Sequence, residues 1–109
     1  MIVAEINEFI NEVNKKRLAY YSEMFKERAV DQYQPIFADG GKKYLKLVYG
    51  NSGGTVWGFI ALTETKIGGV PVKEGDLLKP AGYNAPAKHA RGNILDGSAK
   101  WGIYGPAYL

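Results

Sequence analysis

Residues 43–49 read K-Y-L-K-L-V-Y and residues 55–62 read T-V-W-G-F-I-A-L, and these two runs decide the fold. Both alternate with a period of two, the spacing that sends successive side chains to opposite faces of a strand. In the first run Leu45, Leu47 and Tyr49 share one face, and Tyr44, Lys46 and Val48 share the other. In the second, Val56, Gly58, Ile60 and Leu62 alternate with Thr55, Trp57, Phe59 and Ala61. Between them Gly50-Asn51-Ser52-Gly53-Gly54 is a flexible turn, so the pair reads as an antiparallel hairpin. That turn lacks the Lys-Ser/Thr ending of a phosphate-binding loop and leads into a strand, so it has no helix dipole to offer an anion.

Downstream, the turn signals Gly68-Gly69 and Glu74-Gly75-Asp76 separate short β-prone pieces at 65–67, 70–72 and 77–79. Pro71 confines its piece to an edge or a loop, and Pro80 closes the run. A meander of about four strands follows. Upstream, Ile2, Ile6, Phe9, Ile10, Val13, Tyr20, Met24 and Phe25 recur at helical spacing, and no Gly or Pro interrupts residues 2–29. Glu5, Glu8 and Glu12 precede Lys15, Lys16 and Arg17, an order that suits the helix dipole and pairs Glu12 with Lys16. Asn14 and the basic triplet break the apolar stripe, which predicts two shorter helices as an alternative to one. Gln34-Pro35 and Asp39-Gly40-Gly41 mark the turn into the sheet. At the other end Ala85-Pro86 opens a short helix, ended by Gly92 or Gly97, with Lys88 and Arg91 on one side and Ala87, Ala90 and Ile94 on the other. The tail K-W-G-I-Y-G-P-A-Y-L, residues 100–109, reads as a last strand or an arm. The expectation is one α+β domain over residues 1–109, with a helical segment at 1–31 and the sheet, short helix and tail at 42–109.

With 109 residues there is room for one core. The absence of cysteine excludes disulfides, thiolate metal sites and cysteine nucleophiles, and the single histidine excludes zinc sites that need two imidazoles. His89 stands beside Lys88 and two residues from Arg91, and no acid close in sequence is placed to orient it as a base. The acids Asp39, Glu64, Glu74, Asp76 and Asp96 fall mostly at turns, where local hydrogen bonding accounts for them. Composition therefore points away from an enzyme, and no cofactor or metal is expected. No apolar run approaches the ~18 residues of a membrane span, and no signal segment opens the chain, so the reading is cytosolic and soluble.

The net charge of +3 is unevenly placed. Residues 1–31 hold six acids and five bases, whereas the remainder holds five acids and nine bases. Positive potential thus belongs to the sheet and tail, where it steers a polyanion. One sheet face combines Tyr44 and Lys46 with Trp57 and Phe59, although the same aromatic pair also reads as core beneath a helix. Aromatic rings stack on bases and lysines neutralise phosphates, a combination suited to single-stranded nucleic acid. The expected function is single-stranded DNA binding with little sequence preference. Lys46, Lys79, Lys88 and Arg91 would contact phosphates, and Tyr44, Trp57 and Tyr83 would stack on bases. The alternative is a protein-interaction module, because aromatic residues and Arg also dominate protein interfaces. Surplus apolar surface on residues 2–25 predicts a homodimer or higher oligomer, held through that stripe or through a sheet edge.

Residues 75–96, G-D-L-L-K-P-A-G-Y-N-A-P-A-K-H-A-R-G-N-I-L-D, form the most distinctive string in the chain. It resembles a family of small tailed-phage proteins in which a Lys-rich strand and hairpin lead to G-D-x-x-K-P-A, an aromatic, and A-P-A-K-x-x-R-x-N-[IL]. The matching positions are Gly75, Asp76, Lys79, Pro80, Ala81, Tyr83, Ala85, Pro86, Ala87, Lys88, Arg91, Asn93 and Ile94, and the likeness spans roughly residues 42–96. It departs at Tyr83, where the family pattern has Trp, and in a longer 65–72 loop. The resemblance implies a phage-encoded protein of the infected bacterial cytoplasm, and on the alternative reading a phage inhibitor or adaptor of a host protein. The order of elements is similar to Whirly and transcription-coactivator single-stranded DNA-binding domains, which work as dimers.

Overall fold

The computed structural model describes residues 3–25, 35–50, 55–82, 85–102 and 105–107. Helix α1 (Val3–Phe25) is followed by β1 (Ile36–Ala38), β2 (Tyr44–Tyr49) and β3 (Val56–Ala61). Then come β4 (Thr65–Ile67), β5 (Val70–Val72), β6 (Leu77–Leu78), β7 (Pro80–Gly82), β8 (Ala85–Pro86), β9 (Trp101–Gly102) and β10 (Gly105–Pro106). The architecture is α+β. A four-stranded antiparallel sheet of order β1-β2-β3-β6 forms the centre, and β4-β5, β7-β8 and β9-β10 are two-stranded ribbons around it. The predicted hairpin is β2-β3, and the piece containing Pro71 is one strand of the small β4-β5 ribbon.

Each face of the sheet buries an apolar cluster. On one, Ile6, Phe9 and Val13 of α1 pack on Ile36, Leu47, Trp57, Ile60 and Leu77. On the other, Val48, Val56, Phe59, Ala61 and Leu78 pack with Val72 of β5, and Ile67 and Ala90 close the edge of that cluster. Removal of this apolar surface from water is the main driving force for the arrangement.

α1 is one continuous helix, not two. The residues that break its apolar stripe hold the sheet by other means. The Asn14 carboxamide accepts a hydrogen bond from the Ile36 N–H at 2.7 Å and donates to the Ile36 carbonyl at 3.1 Å. It thereby occupies backbone groups that edge strand β1 would otherwise turn outward. Arg17 is 2% exposed, with its guanidinium 4.7 Å from the Tyr49 ring centroid and 5.5 Å from that of Tyr21. Lys16 lies 5.0 Å from the Trp101 ring. Cation–π contacts therefore continue the helix–sheet packing where the apolar stripe stops.

Two further expectations are corrected. Residues 86–95 form no helix, because their backbone groups serve the sheet. Arg91 N–H donates to the Leu77 carbonyl, Leu77 N–H to that of Gly92, and Ala87 N–H to that of Lys79. Asp76 and Asn93 form an isolated antiparallel bridge, so this segment covers the outer edge of β6. The second correction concerns Trp57. The β2-β3 register steps from Leu47↔Gly58 to Val48↔Val56 and passes over Trp57, which marks a β-bulge. Trp57 is turned to the helix side, away from Phe59, with edge-on contacts to Phe9 at 6.0 Å and Trp101 at 6.3 Å.

Candidate nucleic-acid interface

The face opposite α1 gathers aromatic and basic side chains at the β1-β2 end of the sheet. Directly opposed residues of an antiparallel pair point to the same side, so Phe37↔Val48 and Lys46↔Phe59 place Phe37 with Lys46. Tyr44, two residues from Lys46, joins them. Asp39, whose N–H donates to the Lys46 carbonyl at 2.7 Å, follows Phe37 on the same side. Phe37 is 47% exposed, while Tyr44 and Lys46 are half-buried.

The turn that joins β1 to β2 is built by Gly40 (φ +77°) and Gly41 (φ +134°). A Cβ at Gly41 would lie 1.8 Å from the Tyr44 carbonyl oxygen, so only glycine allows so tight an approach. The turn brings Lys42 and Lys43 beside Lys46. Together with Asp39 and Tyr44 they wall a cleft of about 250 Å³, with buried Phe59 as its floor. With three lysines to one aspartate the residues lining the cleft carry net positive charge, which favours an anion there, and exposed Phe37 beside it offers flat apolar surface. Lys88 is exposed on the same side of the sheet, with its aliphatic chain against the Gly68 turn of the β4-β5 ribbon.

The sequence-predicted residues separate into groups. Tyr44, Lys46 and Lys88 share this side of the sheet, whereas Trp57 is 1% exposed in the core between α1 and the sheet and offers no ring to a ligand. Lys79 and Arg91 hold the C-terminal segment. Lys79 Nζ donates to the Pro106 carbonyl at 2.8 Å, and Arg91 Nε donates to that of Ala107 at 2.9 Å. A second guanidinium N–H of Arg91 donates to the His89 carbonyl. Tyr83 lies outside the described residues, as do Asn51–Gly54 of the hairpin loop, Ile2 of the apolar stripe and Tyr104 of the tail.

The distinctive 75–96 string has a structural explanation. Gly75 (φ +89°) leaves room for Asn93, whose Oδ1 would be 2.8 Å from a Cβ there. Asn93 Nδ2 donates to Asp76 Oδ1 and to the Glu74 carbonyl, both at 2.9 Å, and Asp76 Oδ2 accepts the Lys73 N–H at 2.8 Å. Beyond it, Asp96 accepts hydrogen bonds from the hydroxyl and N–H of Ser98, which hold its carboxyl below the usual carboxylate range. Sequence reasoning missed Phe37, Asp39, Lys42 and Lys43. The run D-G-G-K-K at 39–43 carried the signal for three of them, a tight turn feeding bases into a strand.

Among the described residues, no group of three His, Cys, Asp or Glu is placed to hold a metal ion, and no helix is long and apolar enough to cross a membrane. The fold and surface define a small α+β domain with a helix on one face of its sheet and a basic, aromatic cleft on the other. The chain belongs to the family of unknown function DUF7717, whose model matches residues 2–105. No curated protein and no solved structure matches it.

Proposed function

We propose that the protein binds single-stranded nucleic acid, DNA in preference to RNA, with little sequence preference along the strand. The observation that carries this reading is that exposed Phe37 and half-buried Tyr44 share one sheet face with Lys46, beside Lys42 and Lys43. A strand crossing this face stacks bases on the rings while its phosphates meet Lys42, Lys43, Lys46 and Lys88. Its setting is the cytoplasm of a phage-infected bacterium, on the strength of the resemblance of residues 42–96 to tailed-phage proteins. The chain works as a homodimer through α1, where Leu18 is 44% exposed; light scattering at high concentration that returns only a 12.0 kDa monomer removes this part of the proposal.

Four phosphate contacts on a single strand give a log–log salt slope of about −3, so affinity falls roughly fifty-fold between ~50 and ~200 mM salt. Fluorescence anisotropy with labelled oligonucleotides measures this. Phe37→Ala weakens binding by about 1–3 kcal/mol without changing the slope, as loss of a stacking ring requires. No binding at micromolar protein in the lower salt overturns the reading.

A second reading, a protein-interaction module, is favoured by an apolar groove of about 510 Å³ between the first turns of α1 and the sheet, lined in part by Val3, Ile6, Ala38, Leu45 and Leu62. Binding there is apolar and responds little to salt, which separates it from the first.

A further inference from the structure

The two edges of the central sheet are finished differently. The outer side of β6 is met by residues 91–93, through the backbone bonds of Leu77 and the Asp76–Asn93 bridge. The other edge is β1. Residues on either side of Ile36 and Ala38 bond inward: Gly50 N–H donates to the Pro35 carbonyl at 2.9 Å, and Asp39 N–H to the Lys46 carbonyl at 2.7 Å. An antiparallel ladder alternates, so the N–H and C=O of Ile36 and Ala38 turn outward. Asn14 meets both groups of Ile36 with one carboxamide, the pattern that a residue of an added strand would make. Ala38 is exposed and has no such cap among the described residues.

The side chain of Ala38 shares the helix side of the sheet with its opposed Leu47, and there it borders the apolar groove of about 510 Å³ walled by Val3 and Ile6 of α1 and by Leu45 and Leu62. An outward backbone edge and an apolar groove thus meet at one residue. Peptide recognition by strand addition uses this pair, with main-chain bonds along the edge and pockets for alternate side chains. The groove is larger than one side chain and suits two, from positions i and i+2 that a strand turns to the same side. On its rim Lys42 and Glu74 offset each other, which leaves no net charge to concentrate a polyanion, and Lys42 matches an acid beside the apolar pair. Water serves the Ala38 groups in the unliganded chain, so burial of apolar side chains in the groove is what drives the exchange.

We infer that β1 is a docking edge for an extended segment of a partner protein, which carries two large apolar residues at alternate positions beside an acid, pairs with Ala38 and seats both side chains in the groove. Asn14 closes the edge at Ile36, so the added ladder is short and centred on Ala38. The inference rests on the protein-interaction reading of this groove and concerns the helix side of the sheet, opposite Phe37 and Lys46.

The test titrates the isotope-labelled full chain and follows its amide resonances. The probe is a threonine peptide of about seven residues with Phe and Leu at alternate positions and one Asp beside them. One control has the same composition with Phe and Leu adjacent, and a second is the probe with alternate main-chain nitrogens methylated. The probe is expected to bind at about 100 µM or tighter with shifts at Val3, Ala38 and Leu62, and both controls to bind roughly tenfold more weakly. Ala38→Pro suits an edge position whose N–H faces outward, and it should weaken the probe roughly tenfold. Val3 is 52% exposed in the first turn of α1, where a carboxylate suits the helix dipole, so Val3→Asp keeps the fold while placing a charge at the groove mouth and should weaken the probe at least as much. Thermal melts confirm that both variants fold. Undiminished binding of the methylated peptide, or of the probe to Ala38→Pro, with Val3→Asp still weakened, overturns strand addition and leaves the groove reading standing. Shifts at Ala38 on concentrating the chain alone, or on adding a thymidine oligonucleotide, give the edge to a second copy or to nucleic acid and overturn the partner segment. Failure of every peptide to bind overturns both strand addition and the groove reading.

Discussion

Replacement of Arg91 by alanine distinguishes a tail clamp from a phosphate contact. Its Nε–H reaches the Ala107 carbonyl at 2.9 Å and a second N–H reaches the His89 carbonyl, while its own backbone N–H and carbonyl bind Leu77 and Lys100. The variant keeps the backbone bonds and loses the two from the guanidinium. Hydrogen bonds to a charged donor contribute about 1.5–3 kcal/mol each, but the side chain is half-buried and water replaces part of what is lost, so a net cost of about 2 kcal/mol is expected. For a domain of this size that lowers the melting temperature by roughly 8 °C. Urea unfolding reads the cost as a lower midpoint at constant slope. Native-state hydrogen exchange localises it, because the Ala107 N–H, bonded to the Lys100 carbonyl, should lose protection before the β2-β3 amides do. The salt slope of oligonucleotide binding should stay as in wild type. A stability change below about 0.5 kcal/mol, with a flattened salt slope, would refute the clamp and return Arg91 to the ligand.

Three other outcomes follow from the packing. Trp57→Ala removes a ring wedged between Phe9 and Trp101 and should cost about 3–5 kcal/mol in calorimetry; a cost below about 1 kcal/mol would contradict its place in the core. Asn14→Ala strands the N–H and carbonyl of Ile36, a residue that is fully buried, and should cost about 2 kcal/mol or more, with faster exchange of the Ile36 amide. Asp96, held low by Ser98, has a folded value beneath its unfolded one. Its contribution to stability is therefore present above the ordinary carboxylate range and lost as pH falls through the lowered value. A carboxyl-carbon NMR titration should show the Asp96 midpoint rising in Ser98→Ala; an unchanged midpoint contradicts the assignment.

Much of the fold was legible because local alternation is a local signal. The period-two runs located β2 and β3, the Gly-Gly turn located β4 and β5, and the helical spacing located α1. What escaped was set by partners distant in sequence. The bulge at Trp57 lies where β3 meets both β2 and the tail, and Gly58 sits so close to Pro106 that a Cβ there would be 2.8 Å from its ring. Alternation carried through the bulge put Trp57 on the wrong face. The 86–95 segment has helix-compatible residues and a Pro at the right position, yet its N–H groups are engaged by carbonyls of residues 77 and 79. Lys79 and Arg91 looked like solvent-facing cations because nothing local showed that Pro106 and Ala107 would arrive beside them. Tyr44 and Lys46 were found on one face because both lie in one strand. Phe37 and Asp39 were not, because a three-residue edge strand is too short for its alternation to register.

The most direct test of nucleic-acid binding through the β1-β2 cleft is the salt slope of single-strand affinity for wild type and for Lys42→Ala/Lys43→Ala/Lys46→Ala. With one phosphate contact left at Lys88, the slope should flatten from about −3 to about −1, and the variant should melt within a few degrees of wild type. A triple variant that binds with the wild-type slope, or a wild-type chain that binds no single strand, would contradict it.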